Sequence, residues 1–156
     1  MSQKLLGIRK ARPADAQQIR DVHVLAGKGP DSLERNNKSV LRWMEKRVAA
    51  DYLQAMQTEV FVVAELNNRL CGFGAVNLLK GEITSVYVDP DFTRQGIASS
   101  LVSLMELAAT DAGLQALELQ AAGGALTFYE KQGYVYVTSP ATTGPLWAQM
   151  RKDLKA

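Results

Sequence analysis

The chain has 156 residues, of which 47% are hydrophobic and 22% charged, and its formal net charge is +2. That length favours one globular domain spanning 1–156, large enough to bury a core without staples, and the small charge argues against nucleic acid or an acidic membrane surface as a partner. The single cysteine, Cys71, excludes an internal disulfide and a multi-cysteine metal site; with no secretory leader and no membrane-length apolar run in view, the expectation is a soluble cytoplasmic protein without a metal.

In chain order, "KLLGIRKA" (4–11) has the pattern of a first strand. Pro13 then opens a helix to about Ala26, with Ala16, Ile19 and Val22 or His23 on its inner face. "AGKGPDSLERNNKS" (26–39) is a loop broken by Gly27, Gly29 and Pro30, and "VLRWMEKRVAADYLQAM" (40–56) is a second helical segment. "EVFVVAEL" and "LCGFGAV" flank the tight turn "NNR" and form an antiparallel hairpin. "EITSVYV" (82–88) is a further strand, stopped at Asp89-Pro90. "RQGIASSLVSLMELAATDAG" (94–113) is the most regular helix, with Ile97, Leu101, Leu104, Met105 and Ala108 as its apolar stripe and Gly113 at its end. "LQALELQA" is a strand and "GALTFYEKQG" a short helix ended by Gly133; "YVYVTS" and "PLWAQMRKDL" are closing strands.

The resulting order, β-α-α-β-β-β-α-β-α-β-β, predicts an α/β fold with a mixed sheet. The antiparallel strands come first and a strand–helix–strand crossover follows, which is not the doubly wound dinucleotide-binding order. The "GFG" of Gly72 to Gly74 opens no helix and lacks a third glycine at the needed offset, so it marks a bulge or a close backbone approach rather than a nucleotide loop.

The turn before the long helix has an unusual omission. Helix starts favour an acid, because their first N–H groups lack partners and the dipole end is positive. From Phe92 to Met105 there is no Asp or Glu, while Arg94 adds a cation, Gly96 permits close approach, and Ala98 and Ser99 are small. Such a turn could cradle a pyrophosphate, or be an ordinary helix start solvated by water; the residues alone leave both open.

The segment "TRQGIA" resembles the Q/R-x-x-G-x-G/A acyl-CoA motif of the GNAT superfamily of N-acyltransferases. The element order and the late "FYEKQGY" extend the resemblance over nearly the whole chain. It implies a mostly antiparallel sheet of about seven strands flanked by about four helices. It also implies acetyl-CoA as co-substrate, its pyrophosphate held by the amides of Gln95, Gly96, Ile97, Ala98 and Ser99, with Arg94 in support. In the family the strand carrying Val86, Tyr87 and Val88 splays from its neighbour and pairs with the pantetheine arm. There a backbone N–H could meet the thioester carbonyl as charge develops. Thr93 departs from the family's Gln or Arg, and Ala122 stands where Asn is frequent.

The family pattern A-x-x-F-Y-x-x-x-G-F/Y is matched by Ala125, Phe128, Tyr129, Gly133 and Tyr134, and implies Tyr129 beside the CoA sulfur as general acid. Without the resemblance, Tyr129 is equally an aromatic core residue. Glu82 lies at the interval from Gly96 at which some members carry a glutamate base; otherwise it is a solvent-facing strand start. His23, the one histidine, could line an acceptor pocket but has no visible triad or metal partner. Trp43 could floor the substrate site, though core or half-buried packing fits it better, and Cys71 is a strand packing residue. The expected activity is acetyl transfer to a primary amine by direct attack in a ternary complex. The acceptor would be a small molecule or peptide, and a homodimer is compatible with the sequence. The alternative is a non-catalytic acyl-CoA-binding sensor or scaffold.

Overall fold

The computed structural model describes residues 6–29, 37–138 and 147–154. Lys4 and Leu5 of the predicted first strand, half of the predicted 26–39 loop (30–36), the final serine of "YVYVTS" and the first residues of "PLWAQMRKDL" lie outside these. The strands are β1 (Leu6–Lys10), β2 (Val60–Leu66), β3 (Arg69–Asn77), β4 (Glu82–Val88), β5 (Ala116–Ala122), β6 (Val135–Tyr136) and β7 (Trp147–Asp153). The helices are α1 (Ala16–Gly27), α2 (Lys38–Lys46), α3 (Ala49–Ala55), α4 (Ile97–Asp111) and α5 (Ala125–Lys131). One sheet runs in the order β1-β2-β3-β4-β5-β7-β6, antiparallel throughout except where β4 meets β5. The mixed α/β architecture matches the expectation, with five helices rather than about four.

The extra helix comes from a break that no glycine or proline announces. Arg47 and Val48 turn extended (ψ 143° and 167°), dividing the predicted 40–56 segment. Two partners supply the missing hydrogen bonds. The Arg20 guanidinium donates to the carbonyls of Glu45 (2.8 Å) and Arg47 (3.0 Å) at the end of α2. The Asp51 carboxylate accepts the Val48 N–H (2.8 Å) at the start of α3.

Two buried clusters cover the two faces of the sheet. Ala16, Ile19 and Val22 of α1 and Tyr52 of α3 pack on Phe61, Val63, Phe73 and Ala75. On the other face α4 buries Ile97, Leu101, Val102, Met105 and Ala109 against Val62, Ala64 and Val76. The observed stripe of α4 is thus rotated from the predicted one: Val102 and Ala109 are buried, while Leu104 and Ala108 are half-buried. Gly72 and Gly74 let α4 lie this close. A Cβ on Gly72 would come 3.1 Å from Ile97, and one on Gly74 would come 2.7 Å from Met105. The glycines mark the close approach expected of them. α4 ends in a paired C-terminal motif, with Gly113 N–H donating to Thr110 O and Leu114 N–H to Ala109 O, both at 3.0 Å.

Candidate active site

The site begins with an irregularity in β4. Val76 pairs with Ile83 and Ala75 with Ser85, so Thr84 is an extra residue on the β4 side. The Thr84 hydroxyl is held by the Glu59 carboxylate. Such a bulge bends its strand and increases the local twist. β4 consequently pairs with β5 only at Glu82 and Glu118, where Glu118 N–H also donates to Gly81 O at 2.9 Å. Beyond that bridge, Ile83–Val88 and Leu119–Ala122 diverge. The gap opens into a cleft of about 1200 Å³ lined by both strands, by Arg94 and by α5. Backbone groups on the facing edges of β4 and β5 are free of ladder partners there, as an amide-bearing ligand arm requires.

One end of the cleft is the turn between β4 and α4. Asp89, 2% exposed, caps a short 3-10 turn over Pro90–Phe92 by accepting Asp91 N–H at 3.0 Å. The chain then takes left-handed backbone at Arg94 (φ 63°) and again at Gly96 (φ 76°). Arg94 is unusual there, because a side chain in that region costs about 1–2 kcal/mol. α4 therefore starts at Ile97, later than the predicted Arg94, and no side chain caps it. Its first-turn amides are left to water or an anion.

Tyr129 stands on α5 and reaches the cleft while only 8% exposed. Its ring packs edge-on against Phe128 and Tyr134, at 4.9 and 5.6 Å. No hydrogen bond to its hydroxyl is present among the described residues. Burial, and secondarily Tyr87, push its pKa well above the usual phenol value, so it is a neutral donor throughout the physiological range. Tyr87 lines the cleft from β4, stacks on Phe73 (5.5 Å) and packs at a tilt against His23 (4.4 Å). His23 is buried, with Nδ1 2.7 Å from the Tyr52 hydroxyl. It supports the β4 wall from behind.

Of the residues singled out from the sequence, Val86, Tyr87, Val88, Arg94 and Tyr129 line the cleft. Gln95, Gly96, Ala98 and Ser99 stand at the start of α4, next to the lining residue Arg94 but outside the cleft lining itself, and Gln95 and Gly96 are exposed. The Ser99 hydroxyl donates to Gln132 (3.0 Å), and the Ile97 side chain is buried against β3. Glu82 sits at the closed apex, one residue before the first cleft-lining position of β4. Trp43 is exposed and stacks under the Arg47 guanidinium (4.7 Å), and Cys71 is buried on β3. Thr93 turns its hydroxyl to Pro90 O, and Ala122 lines the cleft opposite Trp147. Sequence reasoning missed Ser85, Thr127, Lys131 and Trp147 in the lining. Only a bulge at Thr84 would have signalled the shape, and a bulge in β4 has no fixed sequence mark.

Comparison with known proteins places this geometry. The acetyltransferase (GNAT) domain profile matches residues 57–136, just over half of the chain. An uncharacterized N-acetyltransferase of Methanocaldococcus jannaschii is 28% identical over 143 residues, covering 84% of this chain and 61% of its own length. A crystal structure of a GCN5-related N-acetyltransferase from Rhodopseudomonas palustris superposes with a TM-score of 0.78 at 21% identity, covering 99% of both chains. The PaiA N-acetyltransferase of Thermoplasma acidophilum, solved in complex with coenzyme A, gives a TM-score of 0.79 at 19% identity over 96% of this chain and 99% of its own.

Proposed function

The chain belongs to the acetyltransferase (GNAT) family, and from that premise we propose that it moves an acetyl group from acetyl-CoA to a primary amine, by direct attack within a ternary complex. The observation that carries this reading is the splay of β4 from β5. Its unpaired edges suit the two amides of a pantetheine arm, and the uncapped start of α4 beside Arg94 suits a pyrophosphate. The amides of Gln95, Gly96, Ile97, Ala98 and Ser99 are the assigned donors, with Val86, Tyr87 and Val88 along the arm. Acetyl-CoA supplies the activated acyl group. The chain supplies position, hydrogen bonds and proton handling.

The amine nitrogen forms a bond to the thioester carbonyl carbon as the C–S bond breaks. A lysine-like amine near neutral pH is mostly protonated, a deficit of about 3 pH units or about 4–5 kcal/mol. We assign Glu82, at the cleft's apex, to take the amine proton through a water. Tyr129 donates to the departing sulfur. A phenol raised this far is a weaker acid than a thiol of pKa about 8.5, so its main contribution is a hydrogen bond to the thiolate. The acceptor is a small-molecule or peptide amine.

Calorimetry with acetyl-CoA, followed by a thiol-release assay over a panel of amines, tests the reading. Absence of binding to the folded protein would end it. Binding without turnover on any amine would leave the sensor in its place.

A further inference from the structure

We propose that Tyr87 and Trp147 are the two walls of a slot for the acceptor, and that the acceptor is a primary amine carried by a short arm on a flat, uncharged aromatic ring; this rests on the acetyl-transfer reading above. Both side chains line the cleft. Trp147 is 52% exposed, although an indole is usually well buried.

The strand register puts the two rings at one level and on one face. Glu82 pairs with Glu118, and Ala122 lies four residues beyond Glu118. With Thr84 counted out as the bulge residue, Tyr87 lies four ladder positions beyond Glu82. Trp147 pairs with Ala122. Tyr87, Ala122 and Trp147 therefore form a row across the splay. Side chains alternate between faces along a strand, so the neighbours of the row fix its side. Val86, Val88, Ala121 and Ala148 pack in the cluster that holds α4 and Tyr129, whereas Tyr87 packs in the cluster of α1 and α3. The row thus lies on the face opposite Tyr129. Phe73 on β3 and His23 on α1 fix the Tyr87 ring, and Ala122 is a low floor. The backbones of β4 and β7 are two strand spacings apart or more, roughly 10 Å, since β5 stands between them. A ring seated between two others needs about 7 Å.

The rest of the slot suits an uncharged ring. Among the described residues no carboxylate lines the cleft, and its cations stand elsewhere, Arg94 in the turn after β4 and Lys131 on α5. Further along the same face, Glu118 pairs with Arg151 (3.6 Å) and accepts from the Gln149 amide (3.1 Å), so these charges are already engaged. Two ladder positions from the row towards the apex, Ser85 and Gln120 line the cleft at one level. That step is about 6.6 Å along the strands. A short alkyl arm covers it and carries the nitrogen from the slot towards Glu82, the assigned base.

The experiment is thiol-release kinetics at saturating acetyl-CoA, with 2-phenylethylamine and tryptamine set against hexylamine and 1,4-diaminobutane. The wild type should favour the two arylethylamines in kcat/KM by about fivefold or more, each aromatic wall contributing about 2- to 10-fold beyond the area it covers. Trp147→Ala should raise KM for the arylethylamines by about 3- to 10-fold, with kcat and the dissociation constant of coenzyme A unchanged. Trp147→Phe should keep the preference. Thermal melts establish that each variant is folded. A wild type that turns over all these amines alike or favours the non-aromatic ones, or a preference undiminished in Trp147→Ala, overturns the slot and leaves acetyl transfer intact. Absence of coenzyme A binding to the folded wild type, or binding without turnover of any amine, overturns both.

Discussion

Replacing Tyr129 by Phe removes one oxygen from the cleft and leaves the ring packing on Phe128 and Tyr134 in place. A buried tyrosine that serves the core has its hydroxyl satisfied by the protein, and losing that bond costs about 0.5–1.5 kcal/mol. The Tyr129 hydroxyl has no such bond among the described residues, and burial holds it in its neutral form. Stability should therefore change by less than about 0.5 kcal/mol. The activity should not be spared. A hydrogen bond to a developing thiolate is a bond to a charged group, worth about 1.5–3 kcal/mol, which corresponds to about a 10- to 150-fold loss in kcat. The dissociation constant of coenzyme A, whose contacts are mostly backbone, should move less than about threefold. Chemical denaturation, thiol-release kinetics and calorimetry on the same preparation read these together. An unchanged kcat removes Tyr129 from the acid role. A loss of more than about 1 kcal/mol of stability with kcat intact makes it a core residue.

Arg94→Gly should relieve the left-handed backbone at φ 63° and stabilise the fold by about 1 kcal/mol, while weakening acetyl-CoA through the lost cation; Arg94→Ala should weaken binding without the gain, and a melt with calorimetry separates them. Gly72→Val, whose Cβ would lie 3.1 Å from Ile97 and 3.2 Å from Tyr87 O, should destabilise by about 1–3 kcal/mol and also weaken acetyl-CoA, because it pushes the start of α4 off the sheet. In Glu82→Gln the rate at pH 7 should fall, and the remaining rate should climb about tenfold per pH unit towards the amine's own pKa; a wild-type pH profile in the variant removes Glu82 as the base. Burial, joined by Glu106 at Tyr134, raises the pKa of both Tyr129 and Tyr134 above the unfolded phenol value near 10. Above that pH the unfolded chain releases protons that the folded chain keeps, so stability should fall as pH rises, by about 1.4 kcal/mol per unit for each phenol. Tyr129→Phe should make the decline shallower, and denaturation midpoints across pH 9–12 measure it.

Several features could be read directly from the residues. The hairpin of β2 and β3 follows from two apolar runs about an Asn-Asn turn, and both asparagines take left-handed backbone (φ 54° and 68°). The end of β4 follows from Asp89-Pro90, and α4 with its glycine stop follows from its 3.6-residue period. These are local effects, set by propensity, periodicity and turn chemistry within about one helical turn. The family likeness rested on the same kind of local pattern at 93–98 and 125–134. The division of 40–56 into α2 and α3 was not legible, since it depends on Arg20, more than twenty residues away, reaching the last carbonyls of α2.

The composition of the site was half legible for a related reason. Val86, Tyr87, Val88, Arg94 and Tyr129 were named from the sequence and line one cleft. Ser85, Lys131 and Trp147 belong to the same cleft, yet nothing in their neighbours distinguishes them from surface or strand residues. The helix start without an acid identified a place where an anion could be stabilised, because unpaired N–H groups and a dipole are properties of the local chain. What lies opposite that turn is a long-range matter. It depends on the bulge at Thr84 turning β4 away from β5, and on the Ser99–Gln132 contact drawing α5 to the start of α4. The sequence by itself settled most of the strands, helices and turns, the break inside 40–56 and the start of α4 apart, since those choices are made largely by neighbouring residues. Only the tertiary structure decided which segments part to make a cleft and which side chains meet in it, since those depend on groups brought together by packing across the whole sheet.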